Sequence, residues 1–309
     1  HREKIDLYRF IPIFRNLQLY FIDELTTRIG TVNNIIGYIH AFRICQLDRS
    51  NIDVASIKTK LIDLLTAVFN GQLPNDPLNG LVSTAHLNWK EIFIVQAYRN
   101  YLLQLKPNYT KDKIDRSLLN HPKSCNLLVL YFNEKFNKKK DSKRVKQYLL
   151  TELEKQFYDS LNSVSDIDED YILKWFFNIL QNTVRCNYNK NTIQEYPVVA
   201  FKFDCEQLKM PLPKPYRELF VFGPEVEGIH IRFGAVSRGG IRWSNRANDY
   251  RSEVLGLAVT QRVKNVVIVP NGSKGGFIIK KSLPAEERVA ESKKQYKAYI
   301  NALLSITDS

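Results

Sequence analysis

A chain of 309 residues, 44% hydrophobic and 25% charged, is long enough for two ordinary domains and too apolar to remain disordered. Its net charge of +13 raises the question of an anionic partner, but no run is long and apolar enough to span a bilayer. The five histidines and four cysteines show neither metal-ligand spacing nor a disulfide framework, so no metal site is expected.

Cys45, Cys125, Cys186 and Cys205 are expected as free thiols of a reducing cytoplasm. The chain opens at His1 without a signal peptide, which reads as a fragment or a processed chain. Residues 1–195 read as an all-helical scaffold. Ile57, Leu61, Leu64, Leu65 and Val68 repeat at three and four and form one apolar stripe. Asn75–Gly80 is a turn cluster. A second helix runs through Ile92, Val95, Tyr98, Leu102 and Leu103 and closes at Lys106-Pro107; a third holds Leu127, Leu128, Tyr131 and Phe136. A fourth starts near Ser165, where Ser165-Asp166-Ile167-Asp168 resembles a capping box with a shortened acid, and Tyr171–Val184 continues as its apolar face. The basic run Lys138–Lys146 reads as a solvated loop rather than a nucleic-acid patch, because no aromatic platform interleaves with it.

At Tyr196-Pro197 the character changes. Val198–Phe203 is β-branched and aromatic, and Pro211–Pro215 is a stiff connector. Glu218–Phe222 and Ile229–Phe233 read as a hairpin around Gly223–Gly228. A helix from Asn248 or Asp249 to Lys264 comes next, with Asn248 as its cap. Val266–Val269 reads as a buried strand, Asn271–Gly276 as a loop, Phe277–Lys280 as a short strand and Glu286–Leu304 as an amphipathic helix. Residues 196–309 are therefore expected to form an α/β domain.

The chemistry concentrates in 236–276. Gln261 and Lys264, three apart at a helix end, share a face that can hold a carboxylate. Spacing alone favours a solvent-facing lysine that offsets the helix dipole. Lys274, flanked by Gly272 and Gly275-Gly276, has glycines that permit positive φ or close approach to a ligand. A partly desolvated lysine with a lowered pKa is a base or nucleophile; the alternative is a chance lysine at a hairpin tip. Arg238, just before Gly239-Gly240, and Arg242 suit either bidentate carboxylate contact or structural ion pairs, for instance with Asp249 or Glu253, and for Arg242 the structural role is favoured. No Walker motif and no Gly-x-Gly-x-x-Gly turn occurs, so no cofactor-binding residues are expected in this chain.

Together these residues resemble the large NAD-specific glutamate dehydrogenases of bacteria. That family's pattern, roughly ARGGIRWSDR, then EVLGL, then QQVKNAVIVPVGAKGGF, stands here as Ser237–Arg246, Glu253–Leu257 and Gln261–Phe277. The resemblance implies a helical region followed by a mixed-sheet substrate domain of glutamate-dehydrogenase type. It implies Lys274 as the catalytic lysine that activates water. It gives Gln261 and Lys264 to the substrate α-carboxylate, and Arg238 with Gly239-Gly240 to the side-chain carboxylate. The implied reaction is oxidative deamination of L-glutamate to 2-oxoglutarate and ammonia with NAD. Nothing matches the family's Asp-x-Gly motif or its NAD domain, so the chain is expected to be an inactive piece of a longer cytoplasmic enzyme, a homo-oligomer with no nucleic-acid or membrane partner. The rival reading is a dicarboxylate-binding or structural module without catalysis.

Overall fold

The computed structural model describes residues 6–30, 36–46, 54–105, 108–137, 142–188, 197–264 and 271–307. They divide into two compact units, His1–Ile92 and Phe93–Ser309. Unit 1 holds α1 (Leu7–Asn16), β1 (Leu19–Gly30), β2 (Ile36–Gln46), α2 (Val54–Phe69), a 3-10 turn (Pro77–Gly80) and α3 (Leu81–Thr84). β1 and β2 form an antiparallel hairpin, which corrects the all-helical reading of residues 1–195. The physical reason is composition: both segments are rich in Ile, Tyr and Phe, with two Thr in β1, and these residues fit a pleated surface better than a helix. Phe10 and Phe14 of α1 pack on Phe42 of β2, with ring centroids 4.7 and 5.0 Å apart. The expected stripe through Ile57 and Leu64 is α2, and both residues are buried. Asp76 caps the turn cluster by accepting from the Leu78 N–H.

α4 (Trp89–Gln104) starts at a reciprocal cap, in which Asn88 accepts from the Glu91 N–H and Glu91 accepts from the Asn88 N–H. In unit 2 come α5 (Lys111–Asn120), α6 (Pro122–Phe136), α7 (Lys143–Leu161) and α8 (Ile167–Gln181). The cap of α8 is Asp166, one residue past Ser165, because its carboxylate reaches both the Asp168 and Glu169 N–H groups. Ser142 caps α7, so Lys143, Arg144 and Lys146 belong to that helix; the earlier part of the basic run, 138–141, lies outside the described residues.

The sheet comprises β3 (Thr183–Cys186), β4 (Val199–Asp204), β5 (Arg217–Phe222), β6 (Val226–Arg232), β7 (Ile241–Trp243) and β8 (Ser273–Ile279). α9 (Tyr250–Lys264) joins β7 to β8, and α10 (Ala285–Leu304) follows. The strand order is β3-β4-β5-β6-β8-β7, antiparallel throughout except for the parallel pair β7 and β8. The sheet is thus mixed, as expected. Register separates its two faces. On one, Phe201, Phe203, Phe220 and Phe222 meet Tyr98, Tyr101 and Phe93 of the helical segment; the Tyr101 and Phe203 rings stack at 4.2 Å. On the other, Ala200, Leu219, Val221 and Phe277 meet Tyr299, Ala302 and Leu303 of α10. The compositional change at Tyr196-Pro197 lies inside this unit. The strand expected at Val266–Val269 lies outside the described residues.

Candidate functional site

Lys274 does not sit at a loop tip. It lies on β8, between β6 and β7, opposite Ile231 in the antiparallel register. The loop expected at Asn271–Gly276 is strand from Ser273 onward. Glycine is depleted in strands, which is why the segment reads as a loop. Here the reason for glycine is space: a Cβ on Gly276 would come within 2.4 Å of the Val254 side chain on α9. Neither Gly239, Gly240, Gly275 nor Gly276 has positive φ, so close approach, not backbone freedom, explains them.

Backbone hydrogen bonds fasten the Arg238–Gly240 segment alongside. The Arg238 N–H donates to Asn271 O at 3.2 Å, Ser273 N–H to Arg238 O at 3.0 Å, and Gly275 N–H to Gly240 O at 3.0 Å. Gly239 lies flat on Ser273, whose carbonyl oxygen would be 1.5 Å from a Cβ there. At Gly240 a Cβ would meet only the Lys274 Nζ, 3.7 Å away. The ammonium of Lys274 therefore stands directly over the second glycine of the Arg-Gly-Gly turn. Lys274 is half-buried and Arg238 exposed. Among the described residues neither side chain makes a hydrogen bond or ion pair. Asn271 fills the space above Gly234, a packing role that residue type alone does not suggest.

α9 delivers the remaining expected groups. The Tyr250 hydroxyl donates to Glu227, which is paired with Ile278, while Val254 lies against Gly276. The helix therefore runs back along β8, and its last turns, with Gln261 and Lys264, lead toward the Lys274 end of the strand. Gln261 is half-buried and partnered; Lys264 is described in its backbone. Two ion pairs set this helix. Arg251, buried, donates from Nε and Nη2 to Glu218 on β5 at 2.8 and 2.9 Å. Burial works against the Arg251 charge, but the Glu218 carboxylate outweighs it and holds the pKa above its ordinary value. Arg242 pairs with Glu253 at 3.2 Å, the structural role expected for it. Ser244 donates to the same carboxylate at 2.5 Å. Sequence reading missed the Arg251–Glu218 pair, whose members are 33 residues apart and share no motif.

Among the described residues there is no cluster of three or more His, Cys, Asp or Glu side chains that could hold a metal, and no helix long and apolar enough to cross a membrane. None of the four cysteines is joined in a disulfide.

Comparison with known families matches residues 156–309 to the model of the bacterial NAD-glutamate dehydrogenase catalytic domain, and residues 73–138 to the model of glutamate dehydrogenase helical motif 3. The NAD-specific glutamate dehydrogenase of Halomonas elongata is 34% identical over 99% of this chain, and that of Pseudomonas aeruginosa 34% over 97%. The NAD-specific glutamate dehydrogenase of Mycobacterium tuberculosis is 32% identical over 98%. The chain spans 19–20% of the length of these curated relatives.

Proposed function

The chain belongs to the bacterial NAD-glutamate dehydrogenase family, and on that premise we propose that it supplies the glutamate-gripping site for oxidative deamination of L-glutamate to 2-oxoglutarate and ammonia. The observation that carries this reading is the position of the Lys274 Nζ over Gly240, beside the exposed Arg238. Arg238, with the Gly239-Gly240 backbone, takes the side-chain carboxylate. Lys264 and Gln261, at the end of α9, take the α-carboxylate. With both carboxylates fixed, the substrate Cα is held in one orientation, which removes much of the entropic part of the barrier. Lys274 in its neutral form takes a proton from the water that attacks the imine carbon, and the ammonium so formed later returns it to the departing amine.

NAD supplies the hydride acceptor. No Gly-x-Gly-x-x-Gly turn is present to cradle its pyrophosphate, so we assign the NAD domain, and the acidic partner of Lys274, to other parts of the longer enzyme. On this reading residues 196–309 carry the chemistry, residues 1–195 are scaffold, and the 309 residues alone are inactive. The whole enzyme is a cytoplasmic homo-oligomer.

The test is Lys274→Ala in the full-length enzyme, followed by NAD reduction. Loss of a general base lowers kcat by about 10²–10⁴-fold, while the glutamate KM moves much less. Turnover retained within about tenfold would leave Lys274 as an anchor of a dicarboxylate-binding module rather than a base.

A further inference from the structure

The sheet carries a second cationic cleft on the face opposite Lys274. Lys274, Gly276 and Ile278 lie on the α9 side, with Gly276 against Val254; the alternate positions of β8 face α10, with Phe277 against Tyr299. By register, Lys202, Arg217 and Arg232 belong to the α10 side. Beyond the end of α10 they line a cleft of about 270 Å³ with Tyr216, Leu219 and Ile306. No carboxylate is among its lining residues.

Arg217 and Arg232 stand directly opposite one another on neighbouring strands. Like charges so placed repel unless something between them is negative. Asp204 answers one of them, accepting from Arg217 Nη1 at 2.9 Å, and the Arg217 guanidinium lies 4.4 Å over the Tyr216 ring. Arg232 has neutral acceptors only: Nε donates to Ser237 Oγ at 3.0 Å and Nη2 to Ala235 O at 2.6 Å. Its charge is unneutralised among the described residues, and Nη1 is unused there. The neighbouring imidazole registers this field: burial, and then the Arg232 charge, bring His230 down to about 4.

We propose that this cleft binds a small multivalent oxyanion, carboxylate or phosphate, between Lys202, Arg217 and Arg232. Cationic side chains converging on a concave, partly apolar surface are the usual means of gripping such a group. The occupant also acts on the site across the sheet. Arg232 holds Ala235 and Ser237, the residues just before Arg238, so an anion that draws Arg232 toward it changes how the Arg238 segment is held. The expected consequence is a shift in glutamate KM more than in kcat.

The experiment uses the full-length enzyme at low ionic strength, its Lys274 site saturated with 2-oxoglutarate, titrated calorimetrically with inorganic phosphate and separately with tricarballylate. At least one probe should saturate a single site. Phosphate alone binding identifies a phosphate ligand, and tricarballylate alone a carboxylate one. Lys202→Gln should weaken binding about fivefold or more, the equivalent of one lost charge-assisted contact. Thr307→Glu, which puts an acid on the exposed rim, should weaken it as well without touching the sheet. Both variants should keep basal turnover and lose the anion's effect on KM. The proposal is overturned if neither probe saturates below about 20 mM, if binding is unchanged in both variants, or if 2-oxoglutarate competes it away.

Discussion

Gly239 and Gly240 are neighbours with opposite demands. A methyl on Gly239 would be driven into the Ser273 carbonyl, and neither backbone can yield without breaking the Ser273-to-Arg238 hydrogen bond. Gly239→Ala is expected to cost about 3 kcal/mol or more in urea unfolding, the upper end for overpacking. Gly240→Ala should stay within about 0.5 kcal/mol of the parent, as an open surface position does. At the proposed site Gly240→Ala is nonetheless expected to raise the glutamate KM, because its methyl stands where the substrate meets Lys274. Equal destabilisation of the two variants would show that the Arg-Gly-Gly turn does not lie on β8 as described. The motif itself was readable in the sequence. The reason for each glycine was not, since it depends on strands brought together from 34 residues apart, as at Gly239 and Ser273.

At the scale of elements, one of the two ion pairs that set α9 is buried, Arg251 with Glu218. Removing the cation leaves Glu218 charged and fully buried, so Arg251→Met should cost about 3–5 kcal/mol, whereas Arg251→Met with Glu218→Leu should recover most of it. Urea midpoints of both variants check this, and a double variant as unstable as the single one would assign the loss to packing instead. Periodicity made α2 and α10 legible, because each buries one stripe, whereas α4 is buried on every side from Ile92 to Arg99. It failed for β1 and β2, where Tyr20, Ile22, Leu25, Ile29 and Ile39 are exposed and blur the alternation of a half-buried strand. It also failed for β8, where glycines stand in for side chains on a strand whose neighbours fill the space.

For the whole molecule, the layering of unit 2 decides what can be cut away. Phe201, Phe203, Phe220 and Phe222 are buried by α4 and its neighbours, not within the strand segment. Exposing four phenylalanines forfeits on the order of 6–12 kcal/mol, comparable to the whole stability of a domain. A fragment of residues 196–309 should therefore fail to fold, while residues 88–309, which keep the Asn88 cap and every layer, should give dispersed amide spectra and a cooperative melt. A folded 196–309 fragment would mean that the helical layer is dispensable. The sequence marked a compositional border at Tyr196-Pro197, and the packing crosses it, because one sheet face needs helices that come earlier in the chain.

A lysine on an interior strand, bonded to neighbours on both edges, is also a lysine whose reading frame is fixed. Side chains on β8 alternate between the α9 and α10 sides, so inserting or deleting one residue between Gly272 and Lys274 would turn the ammonium through the sheet, away from Gly240 and toward the cleft of Lys202 and Arg232. Length variation in homologous chains should accordingly be absent from this stretch and be tolerated in the connectors outside the sheet.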